Sequence, residues 1–116
     1  MPVPEALPVI DIAACCSPLV REPLGATNAD ALGRALKALA DPARLRILSI
    51  VASHVDGEAC VCELTEPLDL SQPTVSHHLK QLVEAGFLTR SRRGTWSYYR
   101  LVAGALDSVA RLLTTV

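Results

Sequence analysis

Apolar residues fall at helical spacing from Asp30 onward. Leu32, Leu36 and Leu39 predict a first helix over about residues 29–40. Asp41-Pro42 restarts the chain, with Asp41 as N-cap and Pro42 in the permissive first turn. Leu45, Leu48, Val51 and Ala52 then form the expected buried stripe of a second helix that fades near Ser53–Gly57. A short third helix is expected from Cys60 or Val61 to Thr65 or Glu66, before Pro67. Ser71 caps a fourth, Gln72–Glu84, whose stripe is Val75, Leu79 and Leu82 and which Gly86 stops. The period then changes to two. Phe87–Arg90 and Trp96–Leu101 read as strands, joined through Ser91-Arg92-Arg93-Gly94-Thr95. A last helix, about Ala103–Leu113, carries Leu106, Val109 and Leu113 on one face.

Residues 1–28 differ. Five prolines and little apolar periodicity mark them as an extended arm, so the expected division is an arm over 1–28 and a folded domain over 29–116. The chain of 116 residues is 50% apolar, enough for one core, which must be aliphatic because aromatics make up 3%. No apolar run is long enough to span a bilayer, and no basic start precedes an apolar stretch, so a cytoplasmic protein without a membrane partner is expected. Helix, short helix, turn, helix and hairpin is the order of a winged helix-turn-helix, a mainly α fold with a small β wing.

Charge supports that reading. Residues 1–70 hold 5 Lys+Arg and 10 Asp+Glu, net −5, whereas residues 71–116 hold 6 and 2, net +4. The basic part suits a polyanion. At about 100° per residue, His77, Lys80 and Pro73 of the fourth helix point away from the Val75/Leu79/Leu82 face. Gln72, Thr74, Ser76 and Gln81 flank them, and Glu84 is this helix's lone acid. Such short donor–acceptor groups suit base edges in a major groove, and Arg92 and Arg93 at the hairpin suit phosphate or minor-groove contact. The expected contacts to double-stranded DNA are therefore Ser71, Gln72, Thr74, Ser76, His77, Lys80, Arg92 and Arg93. His78 lies at the border of the core and reads as a packed, hydrogen-bonded histidine.

Three segments carry a resemblance. Leu36-Lys-Ala-Leu-Ala-Asp-Pro-Ala-Arg-Leu-Arg-Ile-Leu48, Leu70-Ser-Gln-Pro-Thr-Val-Ser-His-His-Leu-Lys-Gln-Leu82 with Ala85-Gly-Phe-Leu88, and Glu58-Ala-Cys-Val-Cys-Glu-Leu64 resemble, in that order, the ArsR/SmtB family of metal-sensing repressors. The resemblance implies a homodimer formed by the first and last helices. It also implies release from operator DNA by a metal or metalloid ion.

Cys15, Cys16, Cys60 and Cys62 are the candidate ligands. In a reducing compartment they stay thiols, and each pair is too close in sequence for a loop-closing bridge. Two helical residues at i and i+2 lie about 200° apart, so Cys60 and Cys62 face one ion only if Cys60 precedes the helix. From Cys16 to Asp30 there are 14 residues, a reach of roughly 45 Å, enough to bring the arm to a third helix. Four thiolates make a soft site. As(III) takes three in a pyramid, whereas Cd(II), Pb(II) or Zn(II) accept three or four. Cadmium/lead sensors of the family carry more widely spaced arm thiols, so the adjacent Cys15-Cys16 favours As(III). Redox switching through the same thiols is the other alternative. Zinc and nickel sensors of the family place histidines on the last helix; Ala103–Val116 has Asp107 and no His, and His54 alone reads as solvated. No phosphate loop, catalytic triad or Cys-x-x-Cys is present, which argues against an enzyme or an organic cofactor.

Overall fold

The computed structural model describes residues 18–115. They form α1 (Ala26–Leu39), α2 (Pro42–Ser53), β1 (Glu58–Cys60), α3 (Cys62–Leu68), α4 (Gln72–Glu84), β2 (Leu88–Arg93), β3 (Trp96–Leu101) and α5 (Ala105–Leu113). The strands make one antiparallel sheet in the order β1-β3-β2. This is a winged helix-turn-helix, as the element order predicts.

The helices start and stop where local chemistry directs. The Asp41 carboxylate accepts the Arg44 backbone N–H at 3.1 Å, with Pro42 in the first turn of α2. That bond, above all, lowers the Asp41 pKa. Asp41→Ala is expected to cost about 1 kcal/mol of stability in a denaturant titration, as loss of an N-cap does. The end of α4 is a Schellman turn. Phe87 N–H bonds the Leu82 carbonyl and Gly86 N–H that of Val83, each at 3.0 Å. The turn needs a positive φ, and Gly86 has φ 91°. Leu82 and Phe87, which it brings together, are fully buried.

Ile47, Leu48 and Val51 of α2, Leu64 of α3, and Val75, Leu79 and Leu82 of α4 converge with Phe87 and Leu88 in one core. The α4 stripe is the predicted one. The α2 stripe is rotated: Ile47 is buried, and Leu45, about 200° around from it, is 52% exposed. On α5 the buried residues are Ala105, Val109 and Leu112, at i, i+4 and i+7, while Leu106 and Leu113 lie 41% and 42% exposed.

Three boundaries differ from the sequence expectation. The first helix begins at Ala26 rather than about residue 29, with Gly25 as N-cap. Residues 18–25 are tied to the domain: Leu19 N–H bonds the Leu112 carbonyl at 3.0 Å, and Leu19 and Leu24 pack against the core. Strand β1, too short to show alternation in sequence, replaces the expected start of the third helix, and α3 runs on through Pro67 to Leu68. Last, β2 continues to Arg93, so the hairpin turns at Gly94-Thr95 and Ser91, Arg92 and Arg93 are strand residues.

Candidate nucleic-acid interface and thiol site

Helix α4 is held from behind and left open in front. Arg44 of α2 donates to the Ala38 carbonyl at 2.6 Å and the Lys37 carbonyl at 3.3 Å, near the end of α1. The same guanidinium donates to the Gln81 side chain and lies 3.3 Å from His78 Nδ1. One cation thus joins α1, α2 and α4, and His78 is the packed, bonded histidine expected. Arg44 went unnoticed in sequence because its partners are long-range.

On the outer side, Gln72, Thr74, Ser76, His77 and Lys80 are exposed. Ser71 caps the helix: its hydroxyl accepts the Thr74 N–H at 3.4 Å and donates to Thr74 Oγ1 at 2.9 Å. Both hydroxyls therefore already serve the helix start. His77 is 3.2 Å from the Gln81 amide, and Lys80 is 3.9 Å from Glu84, a loose surface pair.

The two wing arginines differ. Arg92 is exposed and has no ion pair among the described residues. Arg93 forms a two-pronged pair with Glu58 at 2.6 and 2.9 Å and lies 4.6 Å above the Tyr98 ring. Arg93 thus ties β2 to β1 through Glu58 while its side chain stays exposed, and its expected contact with DNA stands as a proposal. The alternation of a strand explains the tie. Arg93 and Tyr98 project on one face, whereas Arg92 lies on the other with its partner Ser97.

Hydrogen bonds from Arg93, helped by Arg100 at 3.4 Å, hold the Glu58 carboxyl below its ordinary pKa of 4.5. A depressed carboxyl pKa means that this tie is complete above 4.5 and is lost only as pH falls through the lower folded value. A carboxyl NMR titration should show the Glu58 inflection below 4.5, and Arg93→Ala should move it upward. An inflection unmoved by that substitution contradicts the tie.

The thiol box joins the sheet to the helix-turn-helix. Cys60 is the last residue of β1, opposite Tyr98 of β3, and is buried. Cys62 opens α3 and is exposed. Cys60 therefore lies outside the helix, the condition for both sulfurs to meet. The two are joined as a disulfide with Cα atoms 5.4 Å apart, where the sequence reading expected free thiols. A strand-to-helix corner folds the Cβ atoms together, which a two-residue spacing within one helix forbids. Glu63 accepts the Cys60 N–H at 3.0 Å and pairs with His54 at 2.6 Å. These contacts, the Cys60 bond foremost, lower the Glu63 pKa. His54 thus has a partner rather than solvent alone.

Cys15 and Cys16 lie outside the described residues. The bond at Leu19 nevertheless shortens the tether assumed in sequence: three residues, roughly 10 Å, separate Cys16 from that anchor on α5. Among the described residues, no three His, Cys, Asp or Glu side chains are grouped to hold a metal ion. No helix among them is long and apolar enough to cross a membrane.

Residues 41–90, from the α2 cap to the wing, match the family described as bacterial regulatory protein, arsR family. An arsenical resistance operon repressor of Staphylococcus xylosus is 39% identical over 85 residues, covering 73% of this chain and 79% of that protein. The chain belongs to the ArsR family. A second ArsR relative, an arsenic resistance transcriptional regulator of Pseudomonas putida, is 55% identical over 65 residues, but the match spans 56% of this chain and about half, 49%, of that protein. The homodimeric winged helix-turn-helix domain of a possible ArsR-family regulator from Mycobacterium bovis superimposes with a TM-score of 0.62 at 34% identity, covering 79% of this chain and 80% of that one. ArsR proteins are transcriptional regulators, in keeping with the absence of enzyme motifs from the sequence.

Proposed function

We propose that this protein is a cytoplasmic, homodimeric repressor of arsenical-resistance genes that binds operator DNA through α4 and the wing and is released when As(III) binds its cysteine thiolates. One observation carries the reading: the Cys60/Cys62 corner is hydrogen-bonded to β3 of the wing on one side and opens α3, the helix before α4, on the other. An ion at that corner pulls on both DNA-facing elements. The names of the Pseudomonas and Staphylococcus relatives support arsenic as the inducer.

In its dithiol form the corner supplies two sulfurs. As(III) takes three, and the described residues gather no third ligand there, so Cys15 or Cys16 of the arm is assigned as its source. Cd(II), Pb(II) and Zn(II) remain competitors for the same four thiols. The Cys60–Cys62 bond also favours a second reading, in which oxidation of this pair, rather than an ion, sets DNA affinity.

Footprinting the reduced protein on DNA upstream of its own reading frame tests the assignment. A protected pseudo-palindrome that arsenite clears is expected. Protection cleared by an oxidant and restored by a thiol reductant, but indifferent to arsenite, selects the redox reading. No protection at any salt concentration rejects both.

A further inference from the structure

Arg44 donates to acceptors on two other helices. Its Nε bonds the Ala38 carbonyl at 2.6 Å and its Nη2 the Lys37 carbonyl at 3.3 Å, both near the end of α1. Its Nη1 serves α4, facing the Gln81 side-chain oxygen and, at 3.3 Å, His78 Nδ1. We infer that Arg44, acting through Gln81, is a positioning residue that fixes which nitrogen of His77 carries the proton, so that α4 presents Nδ1–H, a hydrogen-bond donor, to an acceptor group of DNA. The inference rests on the DNA-binding reading above and adds to it two residues behind the exposed face of α4.

A guanidinium has N–H donors, no acceptor and a permanent charge, so the direction of every bond it makes is set. Gln81 must turn its oxygen to Arg44, because the opposite orientation would set its NH2 group against a cation with no lone pair between them. That choice leaves the NH2 group 3.2 Å from Nε2 of His77, one helical turn back. An amide NH2 only donates, so Nε2 of His77 accepts. In a neutral imidazole the other nitrogen then holds the proton. His77 is therefore the Nδ1–H tautomer, and its Nδ1 has no partner among the described residues.

The same guanidinium puts the neighbouring histidine in the opposite state. His78 Nδ1 accepts from Arg44, so its proton sits on Nε2. A free imidazole in a groove either donates or accepts, and so tolerates unlike base edges. Holding Nε2 of His77 in the bond to Gln81 removes the acceptor. The remaining donor suits purine N7, guanine O6 or thymine O4 and rejects the amino groups of adenine and cytosine. An unbroken chain of bonds thus runs from the α1 carbonyl through Arg44 and Gln81 to the exposed His77 ring.

The test uses the reduced, nitrogen-15-labelled full-length protein at about pH 8, where an ordinary imidazole is neutral. Long-range proton–nitrogen correlations should show a bare Nε2 in His77 and a bare Nδ1 in His78, with signals assigned from His77→Asn and His78→Asn. Gln81→Glu keeps an acceptor for Arg44 but offers His77 no donor, so the His77 pattern should invert while that of His78 stays. A disturbance of the whole helix would move both histidines alike. Gln81→Leu should leave His77 a mixture of tautomers. It should lower the protein's preference for upstream DNA over mixed-sequence duplex by about two- to fivefold, the reciprocal of the Nδ1–H fraction that remains. A His77 proton on Nε2 in the parent, or a pattern unchanged in Gln81→Glu, overturns the relay. The expected tautomers with a preference unmoved by Gln81→Leu overturn its role at DNA. Failure of the parent to bind upstream DNA overturns the repressor reading and the DNA role with it, while the spectra still decide the relay.

Discussion

Replacing Cys60 and Cys62 together with serine should leave DNA affinity near that of the parent and abolish release by arsenite. Serine keeps the size of the side chain and the strand-to-helix corner, in which Glu63 still accepts the N–H of residue 60. It removes the soft ligands without which As(III) has no anchor on the domain. Coupling between inducer and DNA in regulators of this kind is typically about 1–3 kcal/mol, or roughly 5–150-fold in affinity, and all of it should vanish. Anisotropy of labelled upstream DNA, with and without arsenite, measures both quantities. The Cys15→Ser/Cys16→Ser variant should likewise bind DNA and resist release. If it still dissociates at parental arsenite concentrations, the arm is not a ligand and the Cys60/Cys62 corner acts without it.

Glutamate at both Leu106 and Leu113 should convert a dimer into monomers and sharply reduce DNA affinity. These leucines lie 41% and 42% exposed on α5, and Val20, which is 53% exposed, adjoins the Leu19–Leu112 bond at the Leu113 end of the helix. Covering the two-fifths of each leucine still exposed contributes roughly 0.6–1.3 kcal/mol, that fraction of a full burial, and a buried, unpaired carboxylate more than reverses that gain. Val109 is the wrong probe, since it packs inside its own protomer and its replacement would report folding. Sedimentation velocity on the double variant distinguishes the outcomes, with circular dichroism confirming that the fold survives. A dimer that persists places the interface elsewhere. A monomer should also show about half the parental salt slope, because it engages one half-site.

Helix α4 was legible to the residue because cap, stripe and stop are all local: Ser71 bonds Thr74, three aliphatic residues share one face, and Gly86 takes the positive φ. The stripe of α2 was misjudged because the run from Leu45 to Ala52 offers apolar residues on several faces, and only packing selects Ile47 over Leu45. Strand β1 is three residues long and exists through its pairing with β3, a partner some forty positions away. Without it, the third helix is expected to start at Cys60 or Val61, and the tie of Arg93 to Glu58 is invisible. The hairpin's own signal, Gly94 with a positive φ before Thr95, marks a two-residue turn and would have put Arg90 and Arg92 on one face. The role of Arg44 rests on contacts at separations of 34 and 37 residues, which no local pattern encodes.

Arsenite added to the reduced protein on labelled upstream DNA, with anisotropy and near-ultraviolet thiolate–arsenic absorbance followed in the same cuvette, is the most direct measurement. Absorbance should rise and anisotropy fall together, both saturating at the same arsenite concentration, and neither should change in the Cys60→Ser/Cys62→Ser variant. Absorbance that saturates while the DNA stays bound would contradict an As(III)-released repressor.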